Sequence, residues 1–323
     1  MTTPQTSLES ELLQLADHGP RVVAIGGGHG LAQALEAAMS YASEVTAVVT
    51  VGDDGGSSGR LTSTLRIPPP GDVRKCLLAL SPEPTVFREL FAYRFESTDV
   101  AGHSLGNLML AALTQLFGDD FDAAVRVASG MLGTMGQVIP VARKSLHLQA
   151  IIDGRLVDGQ AAITKTRGAL TELRLVPDGE PADPSAIEAV QFADQILIGP
   201  GSLFTSVMAA LVVPGMTEAL HGAPGHVVFI ANLVTQDGET LGMTCADHLE
   251  ALQRVGGVGV TGTIVAHRGE IKMEPPLEQV RVDRAELADL GWEVVEADLV
   301  DPQADWPQHD PIRLGQVLAH LGN

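Results

Sequence analysis

The sequence predicts an α/β protein with a mainly parallel sheet and a small antiparallel insertion. Two observations carry this. Short β-branched runs are followed repeatedly by a glycine-rich break and then by an apolar segment of helical period, the pattern of strand, loop and crossover helix. One stretch, Ile151 to Gly159 (IIDGRLVDG), instead turns back on itself at Asp153-Gly154, a hairpin dipeptide.

Arg21 to Ile25 (RVVAI) is the first strand, Gly26 to Gly30 (GGGHG) the loop after it, and LAQALEAAM a helix with Leu31, Leu35 and Met39 on one face. Val45 to Val51 (VTAVVTV) is the second strand, closing a crossover unit of ~30 residues. Thr50 to Leu61 (TVGDDGGSSGRL) leaves the sheet where that strand ends. Pro68 to Pro70 give an extended approach to the helix VRKCLLAL, with Asp72 as its N-cap, and Gly102 to Asn107 (GHSLGN) opens the apolar helix LMLAALTQLF. Leu173 to Pro177 (LRLVP) adds a strand beside the hairpin. Gln195 to Gly199 (QILIG) and Val227 to Ala231 (VVFIA) resume the parallel pattern, TGTIVAH and WEVVEADL extend it, and Pro311 to Leu321 closes the chain as a helix.

We expect residues 20–323 to form one domain and 1–19 an extension carrying one helix, because the opening residues lack the basic and apolar regions of a signal peptide. With 45% hydrophobic and 19% charged residues the chain can bury a sizeable core. A formal charge of -20 opposes nucleic acid and anionic membranes, so an anionic ligand must be held locally. The run from Ile196 (ILIGPGSLFTSVMAALVV) approaches membrane-spanning length but is broken by Gly-Pro-Gly-Ser, which predicts strand, loop and buried helix without membrane insertion. Cys76 and Cys245 are far apart and lack zinc or redox spacing, consistent with a reducing cytoplasm.

In an open parallel sheet, ligands bind beyond the carboxyl ends of the strands, where strand order reverses. GGGHG places side-chain-poor residues at a helix N-terminus, which favours a phosphate. It is neither a dinucleotide fingerprint, since both frames end at Leu31 or Gln33, nor a Walker loop, since no Lys-Ser/Thr follows. In GDDGGSSGR, Asp53 or Asp54 suits ribose hydroxyls or a divalent ion, and Ser57, Ser58 and Arg60 can donate to an anion. GHSLG matches the nucleophile elbow letter for letter, but RFESTDVA before it is a poor strand, so Ser104 and Asn107 read better as polar groups at a helix start. Gly201 and Ser202 form a candidate second anion edge, and NLVTQDGET supplies Asn232 and Gln236.

Taken in order, GGGHG, TVGDDGGSSGRL, PPPGDVRKCL, GHSLGNL, GPGSLFTS, NLVTQDGET with Asp247-His248, and HDPIRL resemble the YvcK/CofD family, on its YvcK-like branch of gluconeogenesis factors. The resemblance runs from about Val22 to the last helix. It implies a Rossmann-like three-layer α/β/α fold and a nucleotide-type ligand. YvcK-like members are associated with UDP-N-acetylglucosamine, cell shape and growth on gluconeogenic carbon sources, without an established reaction; the CofD branch transfers phospholactate with Mg2+ and release of GMP. Carried onto this chain, Gly26, Gly27, Gly28, His29 and Gly30 with Gly201-Ser202 would line phosphates, Asp53 or Asp54 ribose or a metal, Asn107 and Asn232 polar groups, and Arg313 sugar or phosphate; Asp72 and Arg74 lie in the third motif. His29 replaces a common threonine, and residues 270–283 lack an expected tyrosine. No catalytic residue and no certain cofactor is assigned; the expected partners are the nucleotide sugar, a second copy of the chain and a regulatory protein.

Overall fold

The computed structural model describes residues 19–52, 55–65, 67–82, 84–97 and 99–322, without the side chains of 56–58 and 63. The helix expected within 1–19 lies outside the described residues. The strands are β1 (Arg21–Gly26), β2 (Glu44–Val49), β3 (Gln137–Pro140), β4 (His147–Ile152), β5 (Arg155–Asp158), β6 (Leu170–Val176), β7 (Gln195–Ile198), β8 (His226–Ile230), β9 (Thr263–His267) and β10 (Glu293–Ala297). Seven form a sheet in the order β10-β9-β8-β7-β1-β2-β3, and every pairing in it is parallel. The other three form an antiparallel sheet ordered β5-β4-β6.

The apolar runs become central strands because both their faces are covered. Along β1, Val22 and Ala24 enter one core with Leu31 and Leu35 of the Gly28–Ala38 helix, Leu77 of the Pro70–Ala79 helix and Leu318 of the Pro311–Leu321 helix. Val23 and Ile25 point the other way, into a second core with Val190, Leu203 to Leu211, Leu249 and the three-stranded sheet. Helices therefore cover both faces, giving the Rossmann-like three-layer fold expected from the sequence. The hairpin turns where expected: Asp153 (φ 48°) and Gly154 (φ 74°) both adopt left-handed backbone, the requirement of its two-residue turn. The apolar stretch after β7 is a π-helical turn, Leu203–Met208, continuing into Ala209–Leu211, all buried. Among the described residues no single helix is long and apolar enough to cross a membrane.

Three readings need correction. Asp72 is not the N-cap of its helix: that place falls to Pro69, and Asp72 sits in the first turn. The segment after β2 is largely helical, Gly56–Leu65, although its glycines and serines favour loop on local propensity. Strand β3 was not foreseen, since four residues ending in proline carry little periodicity; its place at the sheet edge tolerates that proline.

The chain runs outward from β1 to β3, returns to β7 beside β1, and proceeds outward the other way to β10. The exits of β1 and β7 therefore meet at the reversal of strand order. Gly30 is pressed against the second exit, where a Cβ would stand 2.4 Å from the Pro200 carbonyl oxygen. Gly30→Ala is expected to cost about 1–3 kcal/mol by overpacking, read as a lower urea midpoint with an unchanged m-value.

Candidate functional site: a cavity at the strand-order reversal

Three walls enclose a cavity of about 710 Å³ beyond the sheet's carboxyl edge. The first comes from β1. Gly27 is the N-cap of the Gly28–Ala38 helix, in extended backbone and without a side-chain cap, so no side chain of its own closes the N–H groups of the first turn. Its lack of a Cβ lets the Pro70–Ala79 helix approach: a Cβ there would meet Asp72 Oδ2 at 2.6 Å and Thr50 Cγ2 at 2.7 Å. Lys75 Nζ donates to Asp72 Oδ1 at 2.9 Å, and both residues line the cavity. His29 is pushed below its ordinary pKa by burial, then by Lys75, with Asp72 opposing; the ring is neutral at neutral pH.

The second wall comes from the exits of β7 and β8. Asn232 mimics a peptide there: its Oδ1 accepts from Gly201 N at 3.0 Å and its Nδ2 donates to the Gly201 carbonyl at 2.8 Å. Behind them the half-buried Glu239 carboxylate caps the π-helical turn, accepting from Phe204 N at 3.1 Å and from the Thr205 hydroxyl. Burial raises the Glu239 pKa and these bonds partly offset the rise. The anion edge expected at Gly201-Ser202 is thus partly occupied from within, since the N–H groups of Gly201 and Phe204 already have acceptors.

The third wall is the loop after β10. It is closed by a bridge between Val300 and His309 and by Asp301 N donating to the Gln308 carbonyl at 2.9 Å. Gln33 Nε2 donates to Gln308 Oε1 at 3.1 Å, tying the loop to the Gly28–Ala38 helix. Burial pushes His309 down to about 4, and its Nε2 has no hydrogen-bond partner. Gln236 Oε1 on the second wall is likewise buried without a partner.

Of the residues expected at the site, Gly27, Gly28, His29, Gly30, Asp72, Gly201, Ser202, Asn232 and Gln236 line this cavity. Gly26 ends β1 just below it. Asp53 and Asp54 lie outside the described residues, as do the side chains of Ser57 and Ser58. Arg60 is exposed and donates to the Ala101 carbonyl at 2.8 Å and to His103 at 3.2 Å. Arg74 and Asn107 are buried against each other, Nε to Oδ1 at 3.0 Å, and burial lowers the guanidinium pKa to about 10. Ser104 is fully buried as an N-cap accepting from Asn107 N, so GHSLG starts a helix and presents no exposed nucleophile. Arg313 is engaged by Asp298, Asp310 and the Val300 carbonyl and is not among the residues that line the cavity. Sequence reasoning missed Lys75, Thr235, Trp306, Gln308 and His309. Lys75 was visible three residues after Asp72, and His309 stands inside HDPIRL.

The fold is that of a Rossmann-like α/β protein, with an uncapped helix N-terminus facing a polar cavity at the reversal point of its parallel sheet, a geometry that favours an anion. The family model described as 2-phospho-L-lactate transferase CofD matches residues 22–300, and the chain belongs to the CofD family. It is similar to the gluconeogenesis factor of Bacillus subtilis (strain 168), 40% identical over 311 residues covering 94% of this chain and 98% of that protein. The gluconeogenesis factor of Halalkalibacterium halodurans is 39% identical over 306 residues, covering 92% and 95%. A crystal structure of a UPF0052 family member from Bacillus halodurans superposes with a TM-score of 0.88 at 38% identity, covering 92% of this chain and 98% of that one.

The folded pKa of His309 lies below the usual 6.5, so as pH falls the unfolded chain takes up a proton that the native state refuses. Stability from this residue is full above pH 6.5 and is lost between there and about pH 4, by up to about 3 kcal/mol. His309→Asn is expected to remove that part of the slope. Urea midpoints of both proteins at pH 7.5 and 5 measure it by difference, because the other depressed histidines are common to both.

Proposed function

We propose that the chain is a cytoplasmic nucleotide-sugar-binding regulator that takes UDP-N-acetylglucosamine and serves growth on gluconeogenic carbon sources and control of cell shape. The observation that carries this is the meeting of the Gly28–Ala38 helix N-terminus with Lys75 on one wall of a cavity of about 710 Å³. Such a volume suits a ligand of nucleotide size. The main-chain donors of Gly28 to Gly30 and the Lys75 ammonium would take the diphosphate. Thr235, Gln236 and Gln308 offer hydroxyl and amide groups to base and sugar. The names of the bacterial relatives support the gluconeogenic side alone, and the ligand and cell shape follow from the resemblance to the YvcK-like branch. In this reading the chain is a homodimer and a protein partner reads out occupancy.

The description of the family model favours one other reading, an Mg2+-dependent phospholactyl transferase releasing GMP. Among the described residues no group of three or more His, Cys, Asp or Glu side chains converges. Mg2+ bound through ligand phosphates needs only one or two carboxylates, and Asp72 on the cavity wall fits that part. The ion would neutralise phosphate charge there.

Calorimetry with UDP-N-acetylglucosamine tests the first reading. Saturable binding is expected, weakened about tenfold or more by Lys75→Ala, which removes a charge-assisted hydrogen bond. Arg313→Ala is expected to stay within about twofold, since its partners lie outside the cavity. No binding to the intact chain overturns the reading. GMP release from the guanylylated donor with a deazaflavin acceptor, stopped by EDTA, would establish the transferase.

A further inference from the structure

Trp306 is one of only two tryptophans in the chain and is 55% exposed, although tryptophan is a residue that folding normally buries for the most part. It lines the mouth of the cavity, where it is the only Phe, Tyr or Trp among the described residues. The loop that carries it is pinned on two sides. Its ends are joined by the Val300–His309 bridge and by the bond from Asp301 N to Gln308, and Gln308 is bonded to Gln33 of the phosphate-side helix. Pro307 follows immediately and restricts the Trp306 backbone to extended conformations. An exposed indole on a loop fixed at its base, beside a polar cavity, offers an aromatic face on which another planar ring can stack.

Resting on the nucleotide reading above, we propose that Trp306 stacks on the purine or pyrimidine base of the ligand and sets its preference for nucleotides over bare phosphates. Base and phosphate are then held by different walls, the base by the loop after β10 and the phosphate by the Gly28–Ala38 helix.

The test titrates the full chain, Trp306→Ala and Trp306→Phe with UDP-N-acetylglucosamine, UDP, GDP and inorganic pyrophosphate in a calorimeter. Trp306→Ala is expected to weaken every nucleotide about tenfold while pyrophosphate stays within about twofold, and Trp306→Phe to restore most of the loss. In a Trp292→Phe background, where Trp306 is the sole indole, nucleotides should change its emission saturably. Unchanged nucleotide affinity in Trp306→Ala overturns the proposal. So does an equal loss for pyrophosphate, which would mark a structural role. If the intact chain binds UDP or GDP but not UDP-N-acetylglucosamine, the sugar reading fails while Trp306 is still decided on the nucleotide that binds. If it binds no nucleotide, both fall.

Discussion

Gly30 has no Cβ, and the Pro200 carbonyl oxygen stands only 2.4 Å from where one would be. This contact is available because β1 and β7 are neighbours whose chains cross over to opposite sides of the sheet. Their exits splay apart and then close on each other above the sheet edge. The Gly28–Ala38 helix belongs to both consequences: its first turn meets the β7 exit, and Gln33, one turn further, holds the loop after β10. One helix therefore sets the spacing of all three walls. A wedge at its first turn would move a wall it never touches.

Several polar residues that look made for a ligand serve the scaffold instead. Arg74, Asn107 and Ser104 form a buried chain in which each polar group satisfies another, joining the Pro70–Ala79 helix to the Leu105–Leu116 helix. Glu239 does the same for the turn after β7. Such groups are costly to bury alone and inexpensive once paired, so they gather in motifs beside a site without entering it. A letter pattern cannot separate the two uses, because both need the same donors and acceptors near helix ends.

That explains what could be read in advance. The central strands were legible because runs such as RVVAI and QILIG are buried on both faces and admit no other period. The hairpin was legible because Asp153-Gly154 states its own turn. The helix after β2 was hidden by its glycines and serines, and β3 by its shortness. Of the site, the main-chain walls at Gly27 to Gly30 and Gly201 could be anticipated, since glycine reports where backbones approach closely. The third wall could not: the contact that seats it joins Gln33 to a residue 275 positions away, and no local period encodes such a meeting.

The bond between Asp72 and Lys75 carries a consequence for how the cavity fills. The ammonium that an incoming anion would use is already neutralised by a carboxylate on the same helix, 2.9 Å away. An incoming anion would share that ammonium with the carboxylate, since Lys75 has three N–H donors, and the negative charge of Asp72 beside it would favour its departure. A resident competitor lowers the final affinity and shortens the stay. If the cavity takes an anion, its occupancy would track the rise and fall of the ligand pool more closely than that of a site with an unpaired lysine.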